Sequence, residues 1–206
     1  MDKRLIIIEG ADKVGKSTVI SLLKESLGAF VISQPNGKGK VAFLRELLKS
    51  DTYEFSSFSR QLLHTCSHIN DFYEFMSGHD SILVMDRSYI SALIYGKADG
   101  ESDANLELLK KIHNSVYGDL SYNFKIDLFV LCASSMLVKS DNSYYERNLD
   151  MQYINSLYKK LDDKNSDYYF GSKEKIHFVD VDSFYSPEAI KDHVLSAINL
   201  GDRTKA

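Results

Sequence analysis

The sequence predicts an α/β fold with a five-stranded, mostly parallel sheet and helices on both faces. Three observations predict it. Five short apolar runs, at 5–8, 29–32, 82–85, 128–131 and 176–179, have the length and branched side chains of strands buried on both faces. Segments with apolar residues at helical spacing lie between them, at 41–48, 58–75, 90–95, 106–116, 149–161 and 190–198. The first run ends in a Gly-rich turn that leads directly into the helix-forming stretch 18–23. Strand-helix alternation requires crossover connections, which give parallel pairing and cover both sheet faces.

The punctuation between elements agrees. The two prolines fall at boundaries: Pro35 follows the second strand, and Pro187 stands in the first turn of the last helix behind Ser186. Residues 97–103 and 134–148 read as surface loops, the second as the more mobile. No linker composition and no internal repeat divides the chain, so residues 1–206 are expected to form one domain with a lid segment at about 134–148.

With 44% hydrophobic and 26% charged residues, the composition is that of an ordinary globular chain and excludes a disordered one. Cys66 and Cys132 lack metal-ligand spacing and disulfide density, so both are expected to be core thiols in a cytoplasmic protein. The apolar run after Arg4 is too short for a signal peptide, and no stretch is long enough to span a membrane. A net charge of −4 argues against a nucleic-acid surface.

Gly10-Ala11-Asp12-Lys13-Val14-Gly15-Lys16-Ser17 satisfies Gly-x-x-x-x-Gly-Lys-Ser between a buried strand and a helix, the context that gives this pattern meaning. The chain is therefore expected to have the P-loop NTPase fold. Gly10 and Gly15 let backbone amides curl round a phosphate chain, Lys16 reaches the terminal phosphates, and Ser17 is a magnesium ligand. ATP and Mg2+ follow, with Gly10, Asp12, Lys13, Val14, Gly15, Lys16, Ser17 and Thr18 as the ATP-binding residues.

The motif leaves the acceptor open. No Asn-Lys-x-Asp element for guanine lies between residues 100 and 180, which disfavours a GTPase. The third strand instead ends in Asp86-Arg87, at the sheet edge where such folds bind ligands. Asp86 suits the magnesium shell, and Arg87 suits a second phosphate, gripped bidentately.

The block Glu9-Gly10-Ala11-Asp12-Lys13-Val14-Gly15-Lys16-Ser17-Thr18, followed by Gln34-Pro35-Asn36-Gly37, Leu62-Leu63, and Asp86-Arg87 with Ser91-Ala92-Leu93-Ile94-Tyr95, resembles the thymidylate kinase family. The resemblance covers roughly residues 3–161, with a further match at Asp180-Val181-Asp182. It implies transfer of the ATP γ-phosphate to dTMP or a related pyrimidine deoxynucleotide, a step of nucleotide biosynthesis, in a homodimer packed through helices. By the same resemblance Asp12 binds the 3′-hydroxyl, Arg87 the acceptor phosphate and Asp86 the magnesium shell. Lys13 holds the place of the basic residue that stabilises the transferring phosphoryl group in the eukaryotic and poxvirus-like branch. In the lid, Lys139 and Arg147 are the only cations, and Tyr145 closes over the nucleoside. Tyr95 stands where an aromatic ring excludes a 2′-hydroxyl; both tyrosines also fit as core or surface rings.

The departures concern the acceptor. Where the family has a stacking Phe and a base-reading Arg, this chain has His64 and His68, which share a helix face at i and i+4. His64 would stack and His68 donate or accept a hydrogen bond, in a roomier pocket. Two other readings are a zinc site completed by Asp71 and a satisfied or solvent-facing pair. Where the family has Arg-Glu-Pro-Gly-Gly-Thr after the second strand, this chain has Ser33-Gln34-Pro35-Asn36-Gly37-Lys38, so the usual Arg is absent; Gln34 remains a substrate-side candidate, and Lys38 would supply charge near the acceptor phosphate without a bidentate grip. Asp86-Arg87-Ser88 is similar to the Glu-Arg-Ser of deoxynucleoside kinases, so a nucleoside acceptor or a broad-specificity monophosphate kinase is the alternative.

Overall fold

The structure, a computed structural model, describes residues 3–50, 54–79, 81–117, 124–135, 144–162 and 175–198. Strands β1 (Arg4–Glu9), β2 (Phe30–Ser33), β3 (Ile82–Asp86), β4 (Lys125–Cys132) and β5 (Lys175–Asp180) form one parallel sheet in the order β2-β3-β1-β4-β5. Leu5, Ile6, Ile7 and Ile8 are all fully buried, which is why β1 shows a continuous apolar run and no alternation. Strand order reverses at β1: the chain leaves it towards β3 and β2 on one side, then crosses to β4 and β5 on the other. The carboxyl end of β1 is thus a topological switch point, where open α/β sheets bind ligands. Ile8 pairs with Asp86 of β3 and Phe129 of β4, so the glycine-rich loop and Arg87 emerge side by side.

The described helices are α1 (Lys16–Leu27), α2 (Phe43–Lys49), α3 (Ser57–Asp71), α4 (Tyr89–Ala98), α5 (Asp103–Tyr117), α6 (Tyr144–Asn148), α7 (Met151–Lys159) and α8 (Pro187–Ala197). Their starts follow local capping chemistry: Ser56, Ser88, Asp150 and Ser186 each accept a backbone N–H of the first turn. Pro187 occupies the first turn of α8, as its position behind Ser186 predicts. Residues 89–96 of α4 are all buried, so this helix is apolar all round and lies inside the fold.

Four expectations need correction. The segment 58–75 is not one regular helix: α3 ends at Asp71 and continues as a π-helical turn, Phe72–Met76, in which Phe72 and Met76 are buried and Tyr73 is exposed. The loop at 97–103 is shorter, because α4 runs to Ala98 and α5 starts at Asp103. Part of the 134–148 loop is the helix α6, while residues 136–143, with Lys139, lie outside the described residues. Cys66 is exposed on α3, and Cys132 alone is a core thiol. Among the described residues no helix is long and apolar enough to cross a membrane.

Candidate active site

The loop between β1 and α1 is held in a conformation only its residues permit. Gly10 has φ +140°, and a Cβ there would lie 2.3 Å from the Leu131 carbonyl oxygen. Lys13 adopts φ 72° and Gly15 φ 88°, both left-handed. Gly15 caps α1 without a side-chain acceptor, which leaves the helix N-terminus open to an anion. Lys16 is buried and folds back over the loop, its Nζ donating to the carbonyls of Gly10 at 2.9 Å and Ala11 at 2.6 Å. Burial, aided by the Arg87 charge, lowers the Lys16 ammonium to about 7, against the opposing pull of Asp12, Asp86 and Glu9. Val14 is packed in the core, whereas Lys13, Ser17 and Thr18 are exposed.

Arg87 completes this edge. It too is left-handed, at φ 68°, with its amide bonded to the Ile8 carbonyl at 3.0 Å. Non-glycine residues in this region cluster at functional sites, where surrounding contacts hold them. The guanidinium donates to Asp12 Oδ1, to Ser91 Oγ at 3.0 Å and to Tyr95 Oη at 3.2 Å. Burial alone would raise the Asp12 carboxyl; the charges of Arg87 and Lys16 outweigh it and hold Asp12 below its ordinary range.

Beneath Arg87 lies Glu9, fully buried. Its Oε1 accepts the Ser88 amide and hydroxyl, each at 2.6 Å, and its Oε2 accepts Ser91 Oγ at 2.7 Å and Tyr158 Oη at 2.9 Å. This carboxylate therefore fixes the turn that presents Arg87. At the neighbouring strand end, Asn155 of α7 clamps Ala133, accepting its N–H at 3.2 Å and donating to its carbonyl at 2.7 Å.

A cavity of about 200 Å³ opens from Asp12, Asp86 and Arg87. Ser33 at the end of β2 with Gln34 and Pro35 beyond it form one wall, Arg45, Leu48 and Lys49 of α2 another, and Gln61, His64 and His68 of α3 a third. Tyr95 of α4 and Tyr144 and Tyr145 of α6 close it. The Tyr95 and Tyr145 rings meet edge to face at 4.8 Å, and Tyr145 Oη accepts Gln61 Nε2 at 2.9 Å. Arg60, itself buried, lies under the Tyr144 ring at 3.6 Å and donates to the Leu48 carbonyl at 3.0 Å.

Both histidines line this cavity, but they differ. His64 is half-buried beside Tyr145, whose hydroxyl lies 3.3 Å from its Nε2, with the rings near-parallel at 6.1 Å. His68 is buried against His113 of α5, Nδ1 to Nε2 at 3.2 Å. Burial lowers the His64 imidazolium to about 3, assisted by Arg60 and Arg87, and pushes His68 well below its ordinary value. Both are neutral at physiological pH. Among the described residues no three ligating side chains gather, so His64, His68 and Asp71 do not form the zinc site that their spacing allows.

The structure thus brings together Asp12, Lys16, Gln34, His64, His68, Asp86, Arg87, Tyr95 and Tyr145, with Gly10 and Gly15 on the loop and Ser17 and Thr18 in the first turn of α1. It does not bring in Lys38, which is exposed and not part of the cavity wall; Arg45 and Lys49 of α2 are the cations on that side, Arg45 donating to the Pro35 carbonyl. Sequence reasoning missed Arg45, Gln61, His113 and Tyr158. The only signal for them is an apolar-face position in a helical segment, which carries no chemistry of its own.

The comparisons with known proteins accord with this geometry. A family model described as thymidylate kinase matches residues 8–169. The thymidylate kinase of Campylobacter jejuni subsp. doylei is 37% identical over 100 residues, 48% of this chain and 52% of that protein. That of Campylobacter fetus subsp. fetus is 32% identical over 132 residues, 62% of this chain and 69% of its own. The chain spans about half the length of the first of these curated relatives. Among solved structures, thymidylate kinase from Candida albicans superposes with a TM-score of 0.69 at 18% identity, covering 96% of this chain and 92% of that one. The Ehrlichia chaffeensis enzyme gives 0.66 at 17% identity, covering 97% and 100%. At such identities the structures show a shared fold, while the family model spans most of the sequence: the chain belongs to the thymidylate kinase family.

Proposed function

We propose that this protein transfers the γ-phosphate of ATP to dTMP, giving ADP and the diphosphate. The observation that carries the reading is one continuous site. A phosphate loop with a buried lysine opens through Asp12 and Arg87 onto a tyrosine-closed cavity of about 200 Å³. Donor phosphates on the loop and an acceptor phosphate beside Arg87 and Arg45 would then meet at its mouth, with a nucleoside in the cavity.

Each residue has a distinct task in this reading. The Lys16 ammonium exchanges its bonds to the Gly10 and Ala11 carbonyls for donor phosphate oxygens. Arg87, fixed by Asp12, Ser91 and Tyr95, holds the acceptor phosphate in line. Asp12 and Tyr95 stand at the sugar. Lys13, exposed on the loop, offsets charge on the transferring group, the arrangement of the eukaryotic and poxvirus-like branch. The exposed Ser17 hydroxyl and the Asp86 carboxylate are hard oxygen donors that fit Mg2+, which when bound neutralises phosphate charge.

The proposal includes a single domain of 1–206 and a homodimer formed through the outer face of α3, where Leu62 and Cys66 are exposed. The reading is tested by ADP release from ATP and magnesium that depends on added dTMP. Release indifferent to every nucleotide acceptor contradicts it.

A further inference from the structure

The guanidinium of Arg60, on α3, joins three sides of the cavity without lining it. The residue is only 2% exposed. Its Nη1 donates to the Leu48 carbonyl at 3.0 Å, in the last turn of α2, where a helix leaves its carbonyls without internal partners. Its Nε has no hydrogen-bond partner, and among the described residues no carboxylate lies within ion-pair distance of it. Arginine stays charged when buried, so a guanidinium taken out of water without an anion must be offset in another way.

Aromatic faces supply the offset. The guanidinium carbon lies 3.6 Å from the centroid of the Tyr144 ring, with Phe55 at 5.6 Å and Tyr145 at 6.0 Å. Tyr144 lines the cavity, and its hydroxyl is 3.4 Å from Asp99 Oδ1, too long for a strong bond. The ring face is therefore the firmer of its two ties. Tyr144 and Tyr145 meet edge to face at 5.4 Å, so what holds one ring steadies the other. With five residues, α6 is too short to persist without such tertiary contact. On the opposite side, Leu48 follows Arg45 by three residues on α2, so the same guanidinium also anchors the wall that carries that cation.

We propose that Arg60 is a positioning residue for the acceptor: bonded to α2 and stacked beneath Tyr144, it latches α6 over the cavity. Its kinetic consequence rests on the phosphoryl-transfer reading above. Lifting α6 breaks the stack and wets Arg60, whereas an acceptor bound beneath the two tyrosines favours the closed position.

The test compares the whole wild-type chain with Arg60→Met, which keeps the apolar stem and removes the charge, Tyr144→Leu, which removes the ring face, and Tyr144→Phe, which keeps it. Hydrogen exchange read by mass spectrometry, without nucleotide, reports the latch. The α6 amides are expected to exchange about tenfold faster in Arg60→Met and Tyr144→Leu, while those of β1, β3 and β4 keep wild-type rates. Unchanged exchange at α6 overturns the proposal, as does acceleration spread equally over the sheet, which marks a general loss of stability. In steady-state kinetics, KM for dTMP is expected to rise about tenfold in both variants and KM for ATP by less than about twofold, with most of the rise recovered in Tyr144→Phe. Equal rises in the two constants, or a Tyr144→Phe protein as impaired as Tyr144→Leu, overturn the ring stack as the latch. Arg60→Met and Tyr144→Leu combined should be no worse than the worse single change, because each breaks the same contact; additive effects contradict it. Wild-type protein that transfers phosphate to no acceptor overturns the kinase reading and the kinetic consequence with it. That failure is distinct from a failed latch, which leaves an active enzyme with α6 exchange unchanged in the variants.

Discussion

Glu9 and Tyr158, 149 residues apart in sequence, are joined by a hydrogen bond of 2.9 Å inside the fold. The bond ties the end of β1 to α7 directly beneath the Arg87 turn. Because Ser91 Oγ donates to the same Glu9 oxygen and accepts from Arg87, a change at Glu9 reaches the Arg87 guanidinium through one intervening hydroxyl.

Glu9→Ala should therefore act on stability and catalysis together. It leaves the Ser88 and Ser91 hydroxyls, the Ser88 amide and the Tyr158 hydroxyl without their acceptor, a loss of about 3 kcal/mol or more for buried bonds to a charged group. Urea unfolding should show the lower midpoint, and the folded fraction should have a raised KM for the acceptor. An unchanged midpoint would contradict the role given to Glu9.

Arg87→Lys tests the grip on the acceptor. Lysine keeps the charge but cannot make the forked contacts to Ser91, Tyr95 and Asp12, so KM for the acceptor should rise by about tenfold to a hundredfold while KM for ATP changes little. Equal rises in both constants would place Arg87 on the donor side.

Lys16 gives a pH signature. With its ammonium lowered from 10.5 to about 7, the free protein holds much of this lysine neutral in mildly alkaline buffer. Donor phosphates favour the cation and return its pKa upwards, so ATP binding between about 7 and 10.5 should take up a proton. Calorimetric titration in buffers of different ionisation enthalpy would register the uptake, shrinking below the lower limit. Proton release on binding would contradict the sign.

Gly10→Ala should be among the most damaging small substitutions. Its Cβ would lie 2.3 Å from the Leu131 carbonyl oxygen at a φ of +140°, so the loop must move off the sheet edge. A loss of about 3 kcal/mol is expected with abolished ATP binding, measured by thermal unfolding with and without ATP.

The legible parts of this molecule are those that chemistry fixes locally. The glycine positions of the phosphate loop, the β-branched strand runs and Ser186-Pro187 at the start of α8 each carry their geometry within a few residues, and the structure places them where the spacing predicts. What was not legible arrives through tertiary contact. Lys38 stands nearer the second strand than Arg45 does, yet one turn of α2 sends Arg45 into the cavity and leaves Lys38 outside. His113 reaches His68 across 45 residues, and nothing in α5 distinguishes it beforehand from any other buried histidine. The π-helical turn after Asp71 was hidden because Phe72 and Met76 are spaced by four, as an ordinary helix would have them.

The central claim is tested most directly by following phosphoryl transfer from ATP and magnesium to a panel of acceptors: dTMP, dUMP, 5-hydroxymethyl-dUMP, dCMP, dGMP, dAMP, UMP and thymidine. Phosphorus NMR or chromatography identifies the products, with Lys16→Ala as the control that keeps the fold and loses turnover. ADP and a deoxynucleoside diphosphate are expected, formed fastest from dTMP and not from UMP. ATP binding with no transfer to any monophosphate, or transfer to thymidine alone, would contradict it.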